Sequence, residues 1–130
     1  MKIFIRNIIL ICFLATGISA AFADNIDTTL PLPGGTLGNV KLQADTLVPV
    51  YASASQLVKN CKDLSISNTK VTKQPYNLKT QNGSYTAGRW EEQWTVDACG
   101  EKVDVPIEFI LDPTGATYVI TQNEVRLQAK

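Results

Sequence analysis

The sequence predicts a mainly β protein: a small antiparallel β-sandwich or partly open barrel with one short helix and one disulfide. Three observations carry that expectation. A period-two alternation of apolar and polar residues begins at Tyr85 and stays in register across two turns. An even pair of cysteines follows an export signal. The length left after that signal fits one domain.

The chain opens with Lys2 and Arg6, an apolar stretch from Ile8 to Ala15, and small residues ending in Ala21-Phe22-Ala23. That order is a secretory signal, with cleavage expected before Asp24. A membrane-spanning helix needs about 20 continuous apolar residues, and Thr16, Gly17 and Ser19 interrupt the run sooner. Cys12 lies inside the apolar stretch, away from the end where a lipid-modified cysteine would sit. The expected organisation is a signal peptide over residues 1–23, an extended arm over 24–38 and a single stapled β domain over 39–130. The expected address is the periplasm or the extracellular medium, with no membrane anchor after cleavage.

The signal segment holds two of the 12 basic residues and none of the 12 acidic ones, so the processed chain carries ten against twelve. Nucleic-acid backbones are bound by clustered Lys and Arg, which this composition lacks. The chain has no histidine, which removes Ser-His-Asp and Cys-His nucleophiles. Pro33-Gly34-Gly35 has neither the spacing nor the lysine of a phosphate loop, and no cofactor is expected. Cys61 and Cys99 are then read as a structural disulfide rather than a catalytic thiol or a metal site. A loop of that length constrains the unfolded chain by about 4 kcal/mol.

Along the domain, Val40, Leu42 and Ala44 alternate with Lys41, Gln43 and Asp45, the pattern of a half-buried strand that Leu47 to Tyr51 extend or follow with a second. Ser53-Ala54-Ser55-Gln56 fits a capping box, so a short helix is expected after it, with Leu57, Val58, Cys61 and Leu64 on the face toward the sheet. Leu64 and Ile66 begin another strand, in which Val71 falls out of step and calls for a bulge or a break. Residues 74–83, with Pro75, Asn77, Asn82 and Gly83, read as an exposed, turn-rich loop.

A hairpin turn at Cys99-Gly100 pairs Ala98 with Glu101, which sets Val96 against Val103, Trp94 against Val105, Glu92 against Ile107 and Trp90 against Phe109. Asp112-Pro113-Thr114-Gly115 has the order of a type I turn and brings Tyr118 beside Phe109 and Ile120 beside Ile107. One register thus gathers the apolar residues of three strands on one face, and a slip of one residue would expose them all. Val125 and Leu127 alternate with polar neighbours and add a further strand.

The run from Gly88 to Gly100, with Trp90, Glu92, Trp94, Val96 and Cys99 at fixed spacing, is followed by Val103, Val105, Phe109 and the Asp112 to Gly115 turn. It resembles small secreted bacterial proteins sharing a G-x-W-x-E-x-W-x-V-x-x-C-G hairpin, a V-x-V-x-F strand and a D-x-x-G turn. The resemblance covers roughly the last half of the processed chain. It implies an exported bacterial domain and transfers no catalytic residue. Members often carry two glycines after the second turn, where this chain has Gly115-Ala116.

Glu92 breaks the apolar face, set between Trp90 and Trp94. Burial disfavours a carboxylate's charged form unless a cation or donors meet it, which is how some general acids arise. The structural alternative is a carboxylate bonded to a backbone amide, a lysine or the helix start at Ser53. On the outer face Glu91 opposes Glu108, with Arg89 diagonal to Glu108 and Asp104 near Thr95. Either a bound Ca²⁺ or Arg89 would compensate the two acids, and without calcium-loop spacing the salt-bridged face is favoured. Trp90, Trp94, Tyr76, Tyr85 and Tyr118 are candidate stacking surfaces for a glycan or peptide, the two tryptophans fitting a core role and Tyr76 and Tyr85 the surface. The expectation is an exported binding or interaction domain with a protein or glycan partner. The alternatives are a carboxylate-dependent hydrolase using Glu92 with Glu108 or Asp104, and an inhibitor that inserts residues 74–83 into an enzyme cleft. Glu92 and Glu108 fall on opposite faces, which weighs against the hydrolase.

Overall fold

The computed structural model describes residues 25–129. The expected signal peptide, residues 1–23, lies outside the described residues. In chain order the elements are β1 (Asn25–Ile26), α1 (Val40–Ser55), β2 (Asp63–Gln81), β3 (Ser84–Ala98), β4 (Glu101–Asp112), β5 (Gly115–Ile120), a 3-10 turn (Gln122–Glu124) and β6 (Arg126–Leu127). The strands form one sheet in the order β1-β2-β3-β4-β5, with β6 beside β4 further along. The sheet curls into a half-barrel around α1, and its inner face and the helix make the core. The partly open barrel is therefore the form the fold takes; the helix takes the place of a sandwich's second sheet. All pairings are antiparallel except β1 with β2, which is parallel.

The β3-β4-β5 meander has the expected register at every position: Trp90 faces Phe109, Glu92 faces Ile107, Trp94 faces Val105 and Val96 faces Val103, while Tyr118 faces Phe109 and Ile120 faces Ile107. Cys99 and Gly100 both have positive φ, 53° and 85°, as a two-residue hairpin turn with the right twist requires. Trp94, Val96, Val103, Val105 and Phe109 are fully buried. Trp90 stacks on Phe109 with ring centroids 5.1 Å apart.

The first half of the domain departs from expectation. Val40 to Tyr51 forms no strand; it is the body of α1. Leu42, Thr46, Leu47, Val50, Tyr51 and Ala54 are buried at spacings of three and four, a helical stripe that outlasts the six-residue alternation at its start. Asn39 caps the helix, its side chain accepting from the Leu42 amide at 2.9 Å. Pro49 inside the helix removes one amide donor without ending it. Ser53 to Gln56 closes this helix instead of opening another, with the Gln56 amide donating to the Ser53 carbonyl. Cys61 consequently sits in the connection to β2, half-buried, and not on a helix. It is bonded to Cys99.

β2 is 19 residues long, and its register with β3 shifts five times. The first shift, between Ile66 and Asn68, leaves Ser67 as an extra residue, so Thr69 and Val71 fall on the inner face after Leu64 and Ile66. That is why Val71 is out of step in the sequence. Repeated bulges bend a strand and raise its twist, which curls the sheet. Residues 74–83 are exposed apart from the half-buried Pro75 and Tyr76, yet strand pairing continues through Gln81 to an Asn82-Gly83 turn, so they are not a loop. β6 is shorter than the alternation suggests: Val125 is buried ahead of it and Leu127 is exposed.

The Tyr51 hydroxyl donates to the Asp27 carbonyl and ties the exit of β1 to the helix. Burial, then the Asp27 charge, pushes the Tyr51 phenol up to about 12 from 10.0. The folded state thus holds this proton more tightly than the unfolded chain does. Its contribution to stability is complete below pH 10 and is lost as the pH rises toward 12. In an alkaline titration followed by tyrosinate absorbance, one step is expected near pH 12, and Tyr51→Phe should remove it. A step that survives the substitution would contradict the assignment.

Candidate functional site

Glu92 is fully buried on the inner face of β3. Its Oε1 accepts from the Trp90 indole N–H at 2.9 Å and from the Leu37 backbone amide at 2.8 Å. Its Oε2 accepts from the Trp94 indole N–H at 2.7 Å. Alternation along β3 puts all three side chains on one face, and the arm supplies the third donor. The donors are therefore two indoles and a backbone amide, not a lysine or the helix start at Ser53.

The arm is fastened along its length by two more buried polar residues. Gln43 of α1 accepts from the Leu32 amide at 2.8 Å and donates to the Gly38 carbonyl at 2.7 Å. Thr69 of β2 donates its hydroxyl to the Pro33 carbonyl at 2.8 Å and accepts from the Thr36 amide at 3.1 Å. Among the described residues no buried side-chain nitrogen or oxygen lacks a partner. Glu92, Gln43 and Thr69 are thus one polar clasp that satisfies the backbone of an irregular segment laid across the core. Sequence reading singled out Glu92 alone; Gln43 and Thr69 read as ordinary polar positions because their partners lie in the arm.

The outer face carries the charged group expected there. Glu91 opposes Glu108, and Arg89 pairs with Glu108 at 3.0 Å. Lys73 approaches Glu91 at 3.8 Å and lies 4.1 Å over the Tyr76 ring. Tyr76 donates to Glu108 at 3.2 Å, and its phenol is raised, first by burial and then by that carboxylate. Asp104 accepts from the Thr95 hydroxyl at 2.8 Å. The like-charged pair is compensated by Arg89 and Lys73 from the protein itself. Glu92 and Glu108 stand on opposite faces of the sheet, so no substrate reaches both. Asp97 pairs with Lys102 across the Cys99-Gly100 tip at 2.8 Å, which holds the Asp97 carboxyl below the usual carboxylate range.

At the end of the half-barrel away from the disulfide, the inner face opens into an apolar groove of about 290 Å³ lined by Leu37, Pro75, Leu78, Tyr85, Trp90 and Leu111. Leu78 and Tyr85 are 44% and 60% exposed. A side chain at Gly88 would bring its Cβ within 2.6 Å of a Leu78 methyl, so the glycine lets Leu78 lie directly on the β3 backbone. The ladder between β3 and β4 begins only at Gly88 opposite Leu111. Residues 84–87 and the facing 79–81 therefore project past β4 as a two-stranded ribbon. Of the aromatic candidates, Trp90 and Trp94 belong to the core, Tyr76 is half-buried on the outer face, and Tyr118 is half-buried at the core's margin. Tyr85 is the exposed ring. Leu111 is on the apolar face that the meander register predicts, whereas Leu37 and Leu78 carried no signal in the sequence: Leu37 lies in the arm, and the bulges of β2 decide that Leu78 reaches this groove.

No helix among the described residues is long and apolar enough to cross a membrane. Compared with family models, curated proteins and solved structures, the chain matches none of them.

Proposed function

We propose that the chain is an exported, non-catalytic binding domain that engages a protein partner through the open end of its half-barrel. The observation that carries this reading is the groove between Leu37, Leu78, Tyr85 and Trp90, apolar and open to solvent beside a projecting ribbon. Exposed apolar surface bordered by polar residues is characteristic of an interaction site, and an aromatic ring at its rim is a frequent anchor. Export is supported by the N-terminal sequence pattern and is compatible with the disulfide. The periplasm and the external medium are both consistent with it. The engagement of Glu92 by three donors supports a structural role for that carboxylate.

The experiment places a photo-crosslinking residue at Tyr85, with a control at Ala52 on the exposed side of α1, and exposes the protein to its native envelope and secretions. The groove position should yield a discrete adduct that the control does not. Leu78→Asp should weaken capture at least about tenfold while leaving the thermal transition in place. Equal labelling from both positions, or capture indifferent to Leu78→Asp, would refute the assignment. The ribbon favours one particular kind of partner, an enzyme whose cleft admits residues 79–87. Replacing the tip residues Asn82 and Gly83 should then abolish inhibition and leave the fold intact.

A further inference from the structure

The two free edges of the sheet are built differently. One is the side of β2 away from β3, where β1 pairs only with Asp63 and Leu64 and the arm reaches Thr69 through the Gly35 amide. Beyond Thr69 this edge carries Lys70, Lys73, Pro75 and Lys79 and is broken by register shifts. Lysines, proline and bulges are the devices by which proteins prevent an edge from accepting another strand. The other edge is the side of β5 away from β4, which no strand among the described residues occupies. β5 reads Gly-Ala-Thr-Tyr-Val-Ile, without charge or proline, and pairs with β4 without a single shift. Lysine, proline and bulge are all missing from it.

Each face of β5 also presents apolar side chains at this edge, although Val119 on the outer one shares a cleft with Glu91, Glu108 and Glu124. Tyr118 and Ile120 border the core on the inner face but are only partly buried, and Val119 on the outer face is 46% exposed. Helix α1 runs alongside. Lys41 and Asp45 share a cleft with Thr114, Gly115 and Ala116 near its start, and the Ser53 carbonyl accepts from the Gln122 side chain at 3.1 Å near its end. Val48 follows Asp45 on that helical stripe and is 69% exposed. The edge is thus flanked by uncovered apolar side chains as well as by free backbone groups.

We infer that the occupant is a second copy of this chain, whose β5 adds antiparallel to the first across a two-fold axis and continues the sheet from one molecule into the next. Charge decides for self-pairing. In an isologous contact each residue meets its own counterpart or a near neighbour, so a charged strand repels itself. β2 with its three lysines is barred from such a contact, and the uncharged β5 is suited to it. The pairing satisfies backbone amides and carbonyls and buries Tyr118, Val119 and Ile120 of both copies. The inference does not depend on what the groove at the end of the sheet holds.

Sedimentation of the processed chain from about 1 µM to about 1 mM tests it, a range that spans weak to moderate dimers. A monomer-dimer equilibrium is expected. Val119→Lys and Val119→Glu should each raise the dissociation constant at least about tenfold, and an equimolar mixture of the two should restore association as opposite charges meet across the axis. A lysine at 119 faces Glu108 across the β4-β5 pair and keeps the monomer folded, whereas a glutamate there meets a like charge, so a thermal melt of each variant separates lost association from lost fold. Thr72→Lys on the β2 edge should leave the equilibrium unchanged. A monomer throughout the range, or a dimer indifferent to both charges at position 119, would overturn the inference.

Discussion

Glu92→Gln should lower stability by about 3 kcal/mol, the cost of leaving buried donors without acceptors. The carboxylate accepts three N–H groups, two on Oε1 and one on Oε2. An amide keeps one acceptor oxygen and replaces the other with an N–H₂ group. Whichever way it turns, a donor is aimed at a donor: the Trp94 indole in one orientation, the Trp90 indole and the Leu37 amide in the other. Glu92 is fully buried, so water cannot make good the loss. Urea unfolding should show the midpoint falling with little change in slope. Tryptophan emission should also shift, because the substituted group bonds both indoles. Unaltered stability would mean that the clasp is not needed to hold the arm, and a lost activity with unaltered stability would return Glu92 to the list of catalytic candidates.

Replacing both Cys61 and Cys99 with serine should cost about 4 kcal/mol, the loop-closure value for the sequence separation of 38. The bridge joins the start of β2 to the tip of the β3-β4 hairpin, and the Cys99 amide already donates to the Asp63 carbonyl at 3.1 Å beside it. The native contacts around it survive the substitution, so the effect should come from the unfolded state. Equilibrium unfolding of the double variant against the parent measures it. Reducing agent added to the parent should reproduce the loss. A double variant as stable as the parent would show that the staple adds nothing to a core this size.

Legibility in the sequence followed the range of the interactions. The β3-β4-β5 meander rests on neighbouring strands joined by two-residue turns, and alternation from Trp90 to Ile120 suffices to set its register. The helix was hidden by its own composition. Gln43, Thr46 and Ser53 are buried polar residues in its core-facing stripe, which weakens the apolar period and leaves the short alternation at Val40, Leu42 and Ala44 to suggest a strand. Pro49 adds to the disguise. The position of Glu92 on the inner face was readable, whereas its backbone donor comes from Leu37, 55 residues earlier. The groove was unreadable for a related reason: five register shifts in β2 and β3 reassign inward and outward positions, and alternation carries no record of them.

The clasped arm also orders events in time. Residues 25–38 find their partners on α1, at 63–69 of β2 and on Glu92 of β3. A chain that emerges N-terminus first therefore presents a segment with nothing yet to hold it, and loop closure over such distances is slow. The interior cannot be sealed until the strand bearing Glu92 has followed, so the earliest residues of the domain are among the last to be fixed in place.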